Sequence, residues 1–155
     1  MKVTDDPVVV SQVYSAPIDE VWKAITEKER MLDWFFFEMK EFDPVVGFET
    51  QFSVEHDEQT YVHCWKLTEV VPNKKIVYDW SYDGVPGRGL VVWELDEVAD
   101  GTNLTLTNSI VEDFPQDNPA FQRESAEEGW KFLIQQALKS HLEDEGGEID
   151  VIQAT

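Results

Sequence analysis

Apolar and polar residues alternate through the middle of the chain, whereas its two ends follow a helical spacing. Phe48, Thr50, Phe52 and Val54 interleave with Glu49, Gln51, Ser53 and Glu55, the period of a strand with one dry and one wet face. Tyr61 to Val71 repeats the pattern, with Tyr61, His63, Trp65 and Leu67 on one side. Pro72-Asn73 supplies a turn. Lys75 to Tyr82 follows, placing Ile76, Tyr78, Trp80 and Tyr82 together. Gly84 to Gly89 (GVPGRG) reads as a loop. Leu90 to Val98 groups Val91, Trp93 and Leu95. Asp100-Gly101 is a hairpin signal, and Thr102 to Val111 closes the run with Leu104, Leu106, Asn108 and Ile110 inward. Upstream, the β-branched stretch Val8 to Tyr14 predicts one more strand.

Helical spacing begins at Pro17, a residue suited to the first helical position because its missing N–H costs nothing there. Ile18, Val21, Trp22 and Ile25 form one face, and Asp19 and Glu20 favour the positive end of the helix dipole. Thr26 and Glu29 match a capping box, which predicts a second short helix from Glu27 toward Met31 and Leu32. After a loop at Phe114 to Pro119, a long helix is predicted over Ala120 to Leu142, with Ala126, Trp130, Leu133, Ala137 and Leu138 aligned. Glu143 to Gly147 ends it, and the tail 143–155 is expected to fray. The fold class is therefore α+β. A curved antiparallel sheet wraps around the long C-terminal helix, with two short helices after the first strand. The sheet's dry face must be covered, and only the last helix is long enough to do it.

The segment Ala16 to Thr26, APIDEVWKAIT, followed by Trp34-Phe35, resembles the opening of proteins related to the activator of heat-shock protein 90 ATPase. These belong to the START-related, Bet v 1-like group with the helix-grip fold. Leu67 to Trp80 (LTEVVPNKKIVYDW) is similar to that family's strand–turn–strand, Gly101 to Leu106 to its last hairpin, and Gly129-Trp130 with Leu133 and Leu138 to its closing helix. The family often has a Gly-Gly pair before the strand beginning at Phe48, where this chain has Val46-Gly47. The resemblance covers Val8 to Leu142 and implies a single START-like domain over 1–155. The inward aromatic residues point to a hydrophobic small-molecule ligand, aromatic or lipid-like, and the resemblance adds two alternatives: polyketide cyclase or aromatase chemistry, or a chaperone partner.

Charge narrows the partners. Thirty-two acidic against twelve basic residues give a net charge of −20. Such a surface repels nucleic acid and anionic membranes. The acids are scattered rather than clustered, which fits adaptation to high salt better than a docking site for a basic partner. A single cysteine, Cys64, excludes an intramolecular disulfide. The first residues lack a signal-peptide pattern, and no apolar run approaches the ~20 residues of a membrane helix. A cytoplasmic location and no membrane insertion are expected.

Candidate chemistry is sparse. His56, His63 and His141 lack the spacing of a metal set. GVPGRG precedes no helix and so lacks the form of a phosphate cradle, and no cofactor is expected. The aromatic residues are the main functional signal: Trp34, Phe35, Phe48, Phe52, Tyr61, Trp65, Tyr78, Trp80, Trp93 and Trp130. Together with His63 and Asn108 they are the expected ligand-binding residues, lining a cavity or filling a core. Polar atoms on the same inward faces favour the cavity, because unpartnered buried polar groups are costly. His63 with Tyr61 or Tyr78 is the one visible acid–base candidate.

Overall fold

The computed structural model describes residues 1–143. Six strands form one antiparallel sheet in the order β1-β6-β5-β4-β3-β2. They are β1 (Val8–Tyr14), β2 (Glu49–His56), β3 (Gln59–Val71), β4 (Lys75–Tyr82), β5 (Val85–Val98) and β6 (Gly101–Glu112). Two short helices, α1 (Ile18–Thr26) and α2 (Lys28–Trp34), bridge β1 to β2. The chain returns through a 3-10 turn, Pro119–Phe121, into α3 (Arg123–Phe132), a π-turn (Leu133–Ala137) and α4 (Leu138–Glu143). These last three segments run on without a break, about 30 Å of helix at ~1.5 Å per residue. This is the helix-grip α+β fold expected from the alternation and the end helices. The predicted tail beyond Glu143 lies outside the described residues.

Alternation becomes burial strand by strand. Ile76, Tyr78 and Trp80 of β4, Val91, Trp93 and Leu95 of β5, and Leu104, Leu106 and Asn108 of β6 are all buried on the concave face. Trp130, Ile134 and Leu138 of the long helix close over them. Register shifts at Leu67/Glu69, Trp80/Tyr82 and Arg88/Gly89 give the curvature, since an extra residue in one strand increases local bend and twist. The turn before β2 stands on one glycine: Gly47 takes φ +92° and its N–H reaches the Leu67 carbonyl at 2.8 Å.

Several local expectations give way. GVPGRG is mostly strand, because Tyr82 pairs with Val85 in a tight hairpin and Arg88 pairs with Glu112. Arg88 is thus not at a loop tip; its guanidinium is tied to Asp79 and Glu112 on the neighbouring strands. Pro17 is the residue before α1 rather than its first turn. The capping box does not form, since the Thr26 hydroxyl donates back to the Trp22 carbonyl at 2.6 Å. The long helix starts at Arg123, because Asn118 accepts from the Ala120 N–H and stabilises a separate turn first.

Tyr14 anchors the helix to the sheet. Its fully buried hydroxyl donates to the Ile134 carbonyl inside the π-turn, where carbonyls leave the regular helical ladder. Burial, reinforced by Glu143, raises the Tyr14 pKa and keeps the phenol neutral. No helix among the described residues is long and apolar enough to cross a membrane.

Candidate functional site

The helix does not fill the grip evenly. Between α3 and the adjoining ends of β3 to β6 lies a partly open recess of about 160 Å³. His63 from β3, Trp80 and Tyr82 from β4, Gly89 from β5 and Asn108 from β6 form its floor. Ser125, Gly129 and Leu133 of the long helix form the opposite wall, with Phe36 and Phe114 at the sides. A second, more open trough on the other side of the sheet is lined by Glu49, Cys64, Lys66 and Asp79, among others. Glu49 and Lys66 there are exposed, where attraction for a ligand is weak, and Asp79 is already paired with Arg88.

The recess owes its shape to short-range packing. A Cβ on Gly89 would lie 3.3 Å from the Asn108 amide nitrogen, so glycine lets that amide lie over the strand. The Asn108 carbonyl oxygen accepts the Trp130 indole N–H at 3.2 Å, which fixes both side chains. A Cβ on Gly129 would meet no atom within 4 Å, so the helix leaves the mouth open there.

His63 is surrounded by rings: Tyr82 at 4.8 Å, Phe36 at 5.0 Å, Phe52 at 5.1 Å and Trp80 at 5.7 Å between centroids. Burial among them lowers its pKa to about 4, against a weaker opposing pull from the Tyr61 carbonyl. The imidazole is therefore neutral near pH 7. With Nδ1 3.3 Å from that carbonyl and donating to it, Nε2 carries the lone pair. Burial pushes the Tyr82 phenol up to about 12. The Trp80 indole N–H works against that rise, though it does not reach hydrogen-bonding geometry with any partner among the described residues.

The expected ligand-binding residues separate into groups. His63, Trp80, Asn108 and Trp130 line the recess. Trp65, Tyr78 and Trp93 lie deeper, packed around Phe35, which stacks at 5.0 Å on Trp34 and at 5.5 Å on Trp65. Trp34 backs this cluster and donates its N–H to the Ala24 carbonyl at 2.8 Å. Phe52 stacks on His63, and Phe48 meets Phe42 away from the recess. Tyr61 does not line the recess; its hydroxyl donates to Gln59 and accepts from Asn118. Phe36, Gly89, Phe114, Ser125 and Gly129 were not among the candidates. Gly129 had the one usable signal, a helix-weakening residue beside a buried Trp inside a helical pattern.

A bent antiparallel sheet gripping a long C-terminal helix defines a helix-grip α+β domain. The family described as Activator of Hsp90 ATPase homolog 1-like protein matches residues 15–143, and the chain belongs to it. Protein CV1439 from Chromobacterium violaceum is 21% identical, with TM-score 0.75 over 90% of this chain and 99% of that one. DynU16, a putative protein of the dynemicin biosynthetic locus, is 27% identical, with TM-score 0.71 over 90% of this chain. This chain spans only 48% of DynU16. Aha1 from Colwellia psychrerythraea, solved as a dimer, is 16% identical with TM-score 0.68, over 90% of this chain and 98% of that one. No curated protein matches.

Proposed function

We propose that this chain binds a small, largely apolar ring compound in the recess between α3 and the sheet. One observation carries the reading: a partly open space of about 160 Å³ lined by aromatic rings and by the polar side chains of His63 and Asn108. The space is below the ~300 Å³ of most drug-sized sites, but it is comparable to an engineered apolar cavity of about 150 Å³ that admits benzene. Burying ~150 Å² of ring surface contributes roughly 4 kcal/mol, a millimolar affinity before any hydrogen bond is counted.

Binding is favoured over acid–base catalysis. An imidazole held near pH 4 is a weak base at neutral pH, and a phenol near 12 is a weak acid. The likeness to DynU16, a putative protein of the dynemicin biosynthetic locus, supports a biosynthetic compound as the ligand.

The test is a toluene titration followed by the tryptophan indole N–H resonances. In the wild type, Trp80 and Trp130 shift. Gly129→Leu, whose Cβ enters open space at the mouth, is expected to abolish those shifts while leaving the fold intact. Absence of binding, or binding indifferent to the leucine, overturns the proposal.

A further inference from the structure

The outer, convex side of the sheet is divided by charge. Toward β2 it carries Glu49 and Glu55, with Lys66 and Glu69 of β3 and Lys75 and Asp79 of β4. Toward β1 it carries none. Three antiparallel pairs turn outward from β1 and β6: Val9 with Thr107, Ser11 with Thr105 and Val13 with Asn103. Ser109 of β6 and Leu90 and Val92 of β5 continue the same surface. The residues between them, such as Val8, Val10, Leu104 and Leu106, are buried, which fixes the direction of the alternation. Val9 is 57% exposed and Val13 41%.

Such a surface is out of character for this chain. At 28% charged residues, nine outward positions would hold about two or three charges. Depletion of charge, rather than bulk hydrophobicity, marks the centre of a protein interface. The acids resume at the border, where Glu94 and Asp96 lie beside Thr105 and Asn103. The strand edge next to this face is closed to pairing. β1 ends the sheet, but the Ser11 carbonyl accepts from the Gln135 side chain at 3.2 Å and the Val13 carbonyl from that of Gln12 at 2.9 Å. Carbonyls occupied in this way are not free to add another strand.

We propose that this neutral face is the interface of a symmetric dimer, with the same face of a second copy packed against it, and that salt controls the association. Charge selects the occupant. The 32 acidic residues lie elsewhere on the second copy, and burying a carboxylate against valine and threonine strips its water without supplying a partner. The same neutral face meets this one without that cost. The contact is then isologous and closes at two copies. At the spacing of strands and side chains, the nine positions cover roughly 500 Å² per copy, near the ~1,000 Å² in total at which a biological contact begins. So small an interface does not hold two copies of charge −20 together while their repulsion is long-ranged. That repulsion reaches ~10 Å at 0.1 M salt and ~3 Å at 1 M. The dimer therefore forms at high ionic strength and separates at low. The recess lies on the opposite side of the sheet, so this inference is independent of it.

Sedimentation equilibrium of the full chain tests the proposal at about 0.1 M and about 1 M KCl. The protein is expected to be monomeric at the lower concentration and to dimerise at least about tenfold more tightly at the higher. Val9→Glu places a charge on the face, whereas Gln51→Glu places the same charge on the outer side of β2. Both positions are exposed, and equal urea midpoints check that both variants fold. Val9→Glu is expected to weaken the high-salt dimer at least about tenfold through like charges set face to face, and Gln51→Glu to leave it as in the wild type. A monomer at 1 M KCl, a dimer that Val9→Glu leaves intact, or growth beyond two copies overturns the proposal. Association equally tight at both salt concentrations overturns the control by salt.

Discussion

His63 makes stability depend on acid. In the folded chain its pKa is lowered from the usual 6.5 to about 4, because four aromatic rings exclude the water that would stabilise the imidazolium. Between those values the unfolded chain binds a proton that the folded chain does not. Stability from this group is thus fully present above pH 6.5 and is lost as pH falls toward 4. Each pH unit in that window costs about 1.4 kcal/mol, so the total approaches ~3 kcal/mol near pH 4. That is a large part of the 5–15 kcal/mol, roughly, that holds a typical domain together. The perturbation is His63→Gln, which keeps a polar side chain and removes the titration. Urea unfolding of both proteins at pH 7, 6, 5 and 4 gives the difference curve. Carboxylate protonation also relieves the self-repulsion of a chain with net charge −20, but it acts on both proteins and cancels in the difference. The difference should be flat above pH 6.5 and move by about 3 kcal/mol in favour of Gln by pH 4. Parallel curves would refute the burial of a neutral His63.

Two further changes probe the frame that holds the recess. Tyr14→Phe removes the bond to the Ile134 carbonyl and leaves that buried acceptor short of a partner; it should cost about 1–3 kcal/mol, read as a lower urea midpoint with unchanged slope. Gly101→Ala puts a Cβ 2.0 Å from the Tyr14 carbonyl oxygen at φ +141°. It should destabilise by more than about 2 kcal/mol, and a calorimetric melting temperature within a degree of wild type would contradict the geometry.

Much of the frame was legible in the chain. Period-two alternation named the concave faces of β3, β4, β5 and β6 residue by residue, because a strand turns every second side chain the same way. The helical faces of α1 and of the long helix followed from the 3.6 period for the same kind of reason. The extended form of GVPGRG was not legible, because the pairing of β5 with β4 and β6 outweighs the local preference of Gly and Pro for a loop.

The sequence by itself determined an α+β grip with an aromatic interior, since both follow from periodicity and residue type. Only the tertiary structure decided which rings face a space and which fill one. Trp80 and Trp130 border the recess, whereas Trp65 and Trp93 close around Phe35. That division depends on bulges, on a glycine in a helix and on where residues 35–48 place one phenylalanine. These are sub-ångström packing outcomes of residues distant in the chain, and no local pattern encodes them.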